Sequence, residues 1–239
     1  YNLYFIFTGC YFISLIFIVP KMKAFQMPDK EIIKMLWKYG SKAQTSNILF
    51  FFNTRIFFYV LGYYFIKTEV GIYSVGVMIV EAILLIGNSM SLMLYSKIAN
   101  SVLANEQILL TKKYAILSFS STLFALCIVA VIPADVYTIV FGTDFYTVKM
   151  LVLYLFPGTL LMSTYYVTSS YFSGTGKYQY NNYAVLLGLL ISIVGGLLFI
   201  PSGDILTAAT VTSIAFSAIA ICSLFQFKRE IENLQKISI

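Results

Sequence analysis

Histidine is absent from these 239 residues, cysteine occurs three times, tryptophan once, and Asp, Glu, Lys and Arg together supply only 11% of the chain. Without histidine there is no imidazole to complete a metal site. The cysteines, Cys10, Cys127 and Cys222, have no paired spacing that would mark a ligand set or a disulfide. They read as small buried apolar residues inside hydrophobic segments. The scarcity of charge accompanies 59% hydrophobic residues and a mean hydropathy of +0.85, a surface that no soluble domain of this size could present to water. The bilayer is therefore the expected solvent.

What the chain does have is length in its apolar runs. A helix crosses a bilayer in roughly 17 to 25 residues, and seven stretches of that kind can be drawn: Leu3 to Pro20, Ser46 to Ile66, Gly71 to Tyr95, Tyr114 to Ile132, Met150 to Phe172, Tyr183 to Ile200 and Ile205 to Phe227. The expected fold class is an all-α polytopic membrane protein. Its first 20 residues read as the last helix of a preceding bundle, 21–45 as a cytoplasmic amphipathic linker, 46–227 as a six-helix bundle and 228–239 as a cytoplasmic tail. The opening at Tyr1, with neither an initiator Met nor a signal-peptide pattern, suggests the carboxy-terminal piece of a longer protein. Two six-helix bundles would make a pseudo-symmetric transporter.

Orientation follows from the cations, because cytoplasmic connections retain the excess of Lys and Arg. Alternate connections carry thirteen cations on one side and two, Lys67 and Lys149, on the other. The richer side, which includes Lys30, Lys112, Lys177 and Lys228, is assigned to the cytoplasm. Within the linker, Asp29 precedes a run with apolar residues at 32, 33, 36, 37 and 39 and lysines between them. This describes a short surface helix capped by Asp29 and ended by Gly40, either touching anionic headgroups or simply joining two bundles. The outer connections, Lys67 to Val70, Ala134 to Thr147 and Pro201 to Asp204, are too short to carry an outward-facing active site.

Arg55 lies in the middle of the second span, where a cation costs about 2.5–3.5 kcal/mol on insertion scales and so marks a polar site within the membrane. Ser46 with Asn53, and Asn47 with Thr54, are i,i+7 pairs that stack along the helix; Arg55 lies about 80° round from Asn47. Together they form a polar arc suited to a water-filled cavity. In the third span Ser74, Glu81 and Asn88 recur at seven-residue intervals. Glu81 is the only acidic residue in a span interior, as Arg55 is the only basic one, so the two are natural partners. Such a pair either fixes the packing of two helices or forms a ligand or proton site, in which Arg55 grips anionic oxygens and Glu81 tunes it. Tyr166, with Tyr165 and the hydroxyls around it in the fifth span, could line the same cavity. Pro157-Gly158 should kink that span or let it flex, and Gly195-Gly196 should permit close helix packing. Gly174-Thr175-Gly176-Lys177 lacks the spacing of a phosphate loop and reads as a tight turn.

Several of these residues carry a family resemblance: Asn53-Thr54-Arg55, Val70-Gly71-Ile72-Tyr73-Ser74 with Glu81 beyond it, Phe141-Gly142-Thr143-Asp144-Phe145, Pro157-Gly158, and Tyr171-Phe172-Ser173-Gly174-Thr175-Gly176-Lys177 followed by Asn181-Asn182. In order and spacing, from about Leu36 to Phe227, they resemble the Wzx-type oligosaccharide flippases of the multidrug and polysaccharide exporter superfamily. The resemblance implies a parent of about twelve spans in two bundles, of which this chain supplies the sixth to the twelfth. It also implies residence in the bacterial cytoplasmic membrane and alternating-access transfer of an undecaprenyl-pyrophosphate-linked oligosaccharide for O-antigen or capsule synthesis. Arg55, Asn53, Asn47, Glu81, Asn88, Ser74 and Tyr166 would line the cavity. No cofactor is implied beyond a coupling ion, H+ or Na+, left open. Membrane lipids and polysaccharide polymerase machinery are the implied partners, and nucleic acid is not. One departure is Phe57, where the family pattern leads one to expect an acidic residue. The rival readings are a multidrug or cation antiporter of the same superfamily, an integral membrane enzyme of lipid-linked sugar metabolism, and a seven-span receptor.

Overall fold

The computed structural model describes residues 29–101 and 103–237. The span expected at Leu3 to Pro20, with Cys10, lies outside the described residues; of the other two cysteines, expected to be buried, Cys127 is exposed on the outer face of its helix and Cys222 is only part-buried. The chain divides into two units, Tyr1–Tyr39 and Gly40–Ile239; the described part of the first is helical from Lys30 onward.

Among the described residues all regular structure is helical: α1 (Lys30–Tyr64), α2 (Lys67–Asn100), α3 (Ala104–Val131), α4 (Ala134–Phe141), a 3-10 turn (Thr143–Thr147), α5 (Val148–Gly174), α6 (Tyr178–Phe199) and α7 (Ile205–Ile237). Five of the described helical segments, the 3-10 turn with α5 counting as one, are long and apolar enough to cross a membrane: Lys67–Asn100, Ala104–Val131, Thr143–Gly174, Tyr178–Phe199 and Ile205–Lys236. The chain is an all-α polytopic membrane protein. The count falls short of seven partly because α1, which contains the expected second span, is diluted by Asn47, Asn53, Thr54 and Arg55.

Helix α5 is the centre of the bundle. It packs against α2, α3 and α7, with α6 against α7 and α3 against α2. Its buried residues, among them Leu151, Leu155, Met162, Val167 and Phe172, cover several faces, as expected for a helix enclosed by neighbours rather than one with a single apolar stripe. Close approach of α5 and α7 depends on Gly158: a Cβ there would run into the backbone of Ser213. The Gly158 amide, one position past Pro157, is bonded to Ser213 Oγ at 2.9 Å. The Pro-Gly pair thus sits inside a continuous helix, with a hydroxyl from the next helix taking up its amide. Gly195 of α6 similarly lies where a Cβ would meet Val211, and Gly196 faces Phe57, in keeping with the expected close packing.

Several boundaries differ from the sequence reading. Gly40 does not end a helix; α1 runs through it to Tyr64, since an exposed interior glycine costs only about 1 kcal/mol and no proline or left-handed turn follows to enforce a stop. The expected outer connection Lys67 to Val70 is the first turn of α2, where Glu69 complements the helix dipole. The break shrinks to Phe65 and Ile66. Ala134 to Thr147 is ordered as α4 and the 3-10 turn, joined at Gly142, whose φ of 109° suits glycine. Helix α3 starts at Ala104, well before Tyr114, and α7 continues through Lys228 and Arg229 to Ile237 instead of releasing a tail. Gly174 to Lys177 is a turn as expected, with Gly176 at φ 75°.

Candidate functional site

Helices α1, α2, α5 and α7 surround a cavity of about 400 Å³. Arg55 enters it from α1 and Glu81 from α2, with Nη2 and Oε1 3.3 Å apart and the two side chains 40% and 41% exposed. The pair opens into the cavity and is not sealed in a helix seam. The Arg55 Cζ also lies 5.5 Å from the centre of the Phe58 ring, which braces the cation from one side.

Polar groups cluster round the pair. Asn47 and Thr54 of α1, Asn88 of α2, Tyr166 of α5 and Thr212 of α7 line the same cavity, and the Thr212 hydroxyl is hydrogen-bonded to that of Tyr73 at 2.9 Å. The remaining wall is apolar, from Phe50, Val77, Val80, Leu84, Leu155 and Phe216. An arginine with five N–H donors, set among neutral hydrogen-bonding groups and greasy walls, suits an anionic group attached to an apolar body.

Two of the sequence candidates lie elsewhere. Asn53, 1% exposed, accepts a hydrogen bond from Ser192 Oγ at 2.7 Å and belongs to the packing of α1 on α6. Ser46, one turn pair away, likewise donates to Asn182 on α6. The polar arc of α1 is therefore divided: Asn53 and Ser46 bond to α6, Ser46 at the edge of a second space, and the Asn47, Thr54 and Arg55 stripe faces the cavity. Ser74 does not line the cavity either; its hydroxyl turns back to the Val70 carbonyl at 2.8 Å, the usual local bond of a serine inside a helix. Phe57, at the position of the family departure, is buried against α6 and away from the Arg55 and Glu81 pair.

Compared with protein-family models, with curated proteins and with solved structures, the chain finds no match. The site must be read from its own geometry.

A second, smaller space of about 270 Å³ shares Asn47, Phe50, Asn88 and Tyr166 with the first, so the two adjoin. Sequence reasoning placed Tyr165 and the hydroxyls near it in one cavity. Tyr165 and Ser169 do line this second space, but Thr168 is tied to Ser223 of α7 at 2.7 Å and Ser170 to Ser91 of α2. Thr212 carries no signal in the sequence, and Tyr73 and Asn181 enter there only through the family resemblance. Hydroxyls and amides recur along every span here, and nothing in the spacing of Thr210, Thr212 and Ser213 marks the one that reaches the cavity. Also unforeseen is the ion pair between Lys177, in the turn before α6, and Glu230 near the end of α7, whose side chain is 7% exposed. Among the described residues no group of three or more Cys, Asp and Glu side chains converges as a metal site would require.

Proposed function

We propose that this chain belongs to a flippase that carries an undecaprenyl-pyrophosphate-linked oligosaccharide across the bacterial cytoplasmic membrane for polysaccharide synthesis. The observation that carries this reading is the half-open Arg55 and Glu81 pair in a cavity with apolar walls. A cation placed there costs about 2.5–3.5 kcal/mol, and a pyrophosphate charge about 5 Å away in surroundings of effective dielectric about 20 would return about 3 kcal/mol. The cost of the arginine is then offset when cargo is present, which gives a reason to keep a basic residue at this depth. The apolar walls suit the isoprenoid end of the same molecule.

The test uses the complete gene in a flippase-deficient strain, comparing wild type, Arg55→Ala and Arg55→Lys for surface polysaccharide at matched membrane abundance. The expected outcome is loss of export with Ala and partial export with Lys, whose ammonium keeps the charge but not the bidentate fork. Normal export by both variants would overturn the reading.

A further inference from the structure

The smaller space differs in chemistry from the Arg55 cavity it joins. No acidic or basic side chain is among the described residues that line it; apart from Ala43 the lining is amide, hydroxyl and aromatic, including Asn181, Ser46, Ser91, Ser169, Ser173 and Tyr165 beside the residues shared with the first cavity. Aromatic walls are in contact with one another, Phe50 lying 6.4 Å from Tyr165 and 6.1 Å from Tyr166 between ring centres. Asn181 is 2% exposed. Its Nδ2 donates to the Ser169 carbonyl at 3.0 Å and to Ser173 Oγ at 3.1 Å, while its Oδ1 is buried with no hydrogen-bond partner. A buried amide oxygen left unpaired costs free energy unless a donor arrives.

We infer that this neutral compartment is the subsite for an uncharged, hydroxyl-rich sugar headgroup whose lipid-linked pyrophosphate sits at Arg55. The inference rests on the proposed function and names which part of the cargo each space takes. Neutral hydroxyl and amide groups supply both donors and acceptors, as a sugar requires, and aromatic faces cover the apolar C–H faces of the ring. Asn47, which belongs to both spaces, lies about 12 Å along α1 from Arg55 at 1.5 Å per residue. That distance matches a phosphate separated from its sugar by one or two residues of glycan. A carboxylate or lysine in the compartment would have favoured a charged sugar instead, and none lines it.

The experiment measures binding to the full-length protein in nanodiscs with three probes: farnesyl pyrophosphate, the same lipid carrying chitobiose on its pyrophosphate, and free chitobiose. The Ser169→Ala/Ser173→Ala double variant removes two hydroxyls from the compartment, and retained binding of plain farnesyl pyrophosphate reports that it is folded. The expected result is a Kd for the glycosylated lipid raised roughly tenfold, the effect of one or two neutral hydrogen bonds, with farnesyl pyrophosphate unchanged. Arg55→Ala should weaken both lipids. Equal loss of both lipids in a double variant whose thermal unfolding matches wild type, no loss of either, or free chitobiose binding as tightly as the lipid-linked form would overturn the subsite. If instead the double variant loses only the glycosylated lipid and Arg55→Ala weakens neither, the sugar subsite stands and the cationic-cavity reading falls.

Discussion

Arg55 and Glu81 are held 3.3 Å apart but with side chains 40% and 41% exposed, so solvent entering the cavity screens their attraction. Pairs of that exposure typically contribute about 0.2–1 kcal/mol. Neutralising the acid should therefore cost little stability while freeing the guanidinium for a competing anion. Glu81→Gln is expected to tighten binding of farnesyl pyrophosphate by up to about fivefold, the upper end of the pair's strength, and to leave thermal stability within a few degrees of wild type. Titration of the purified variant against wild type decides this. A fall in affinity would mean that Glu81 orients Arg55 in a way its amide cannot, and the pair would then be a positioning device more than a mutual restraint. At this same scale the sequence was informative about composition and poor about partners. One acid and one base in span interiors can only meet each other, so their pairing was legible. Asn53 could not be placed: whether its stripe met water or α6 depended on Ser192, 139 positions away.

Helix contacts in this bundle are set by where side chains are missing. Gly158 lies against the Ser213 backbone, and backbone cannot rotate aside as the tip of a side chain can. Gly158→Ala should therefore force α5 from α7, break the amide bond to Ser213 Oγ and lower stability by roughly 1–3 kcal/mol, the usual range for an overpacked interior. Gly62 of α1 gives the contrast, since nothing lies within 4 Å of a Cβ built there. Gly62→Ala should raise stability by about 0.4–1 kcal/mol through the unfolded chain alone. Thermal unfolding of the two variants in the same detergent checks both, and equal shifts would refute the packing assignment. The existence of the later helices was legible because their apolar runs are long. Their ends were not, because hydropathy locates the membrane and not the helix: α3 begins at Ala104 and α7 persists to Ile237 through charged residues that are still good helix formers. The pairing of Lys177 with the buried Glu230 is invisible for a similar reason, being 53 positions apart and created only by packing.

For the molecule as a whole, the sidedness of the site depends on which face meets the cytoplasm. The compartment that includes Ser173, Tyr178 and Asn181 lies by the Gly174 to Lys177 turn, on the side given thirteen cations against two by the alternation of connections. That assignment makes the neutral compartment the first part of the site met by cargo arriving from the cytoplasmic leaflet and places the 3-10 turn Thr143–Thr147 outside. Single cysteines in a background with Cys10, Cys127 and Cys222 replaced by serine test this directly. Asp144→Cys and Gln179→Cys are both at exposed positions, so differences in labelling report side and not burial. A membrane-impermeant maleimide should label Asp144→Cys in intact cells and Gln179→Cys only after permeabilisation. The reverse pattern would invert the protein, put the sugar compartment on the far side, and leave the transport direction to be carried by cargo leaving through that compartment instead of entering by it.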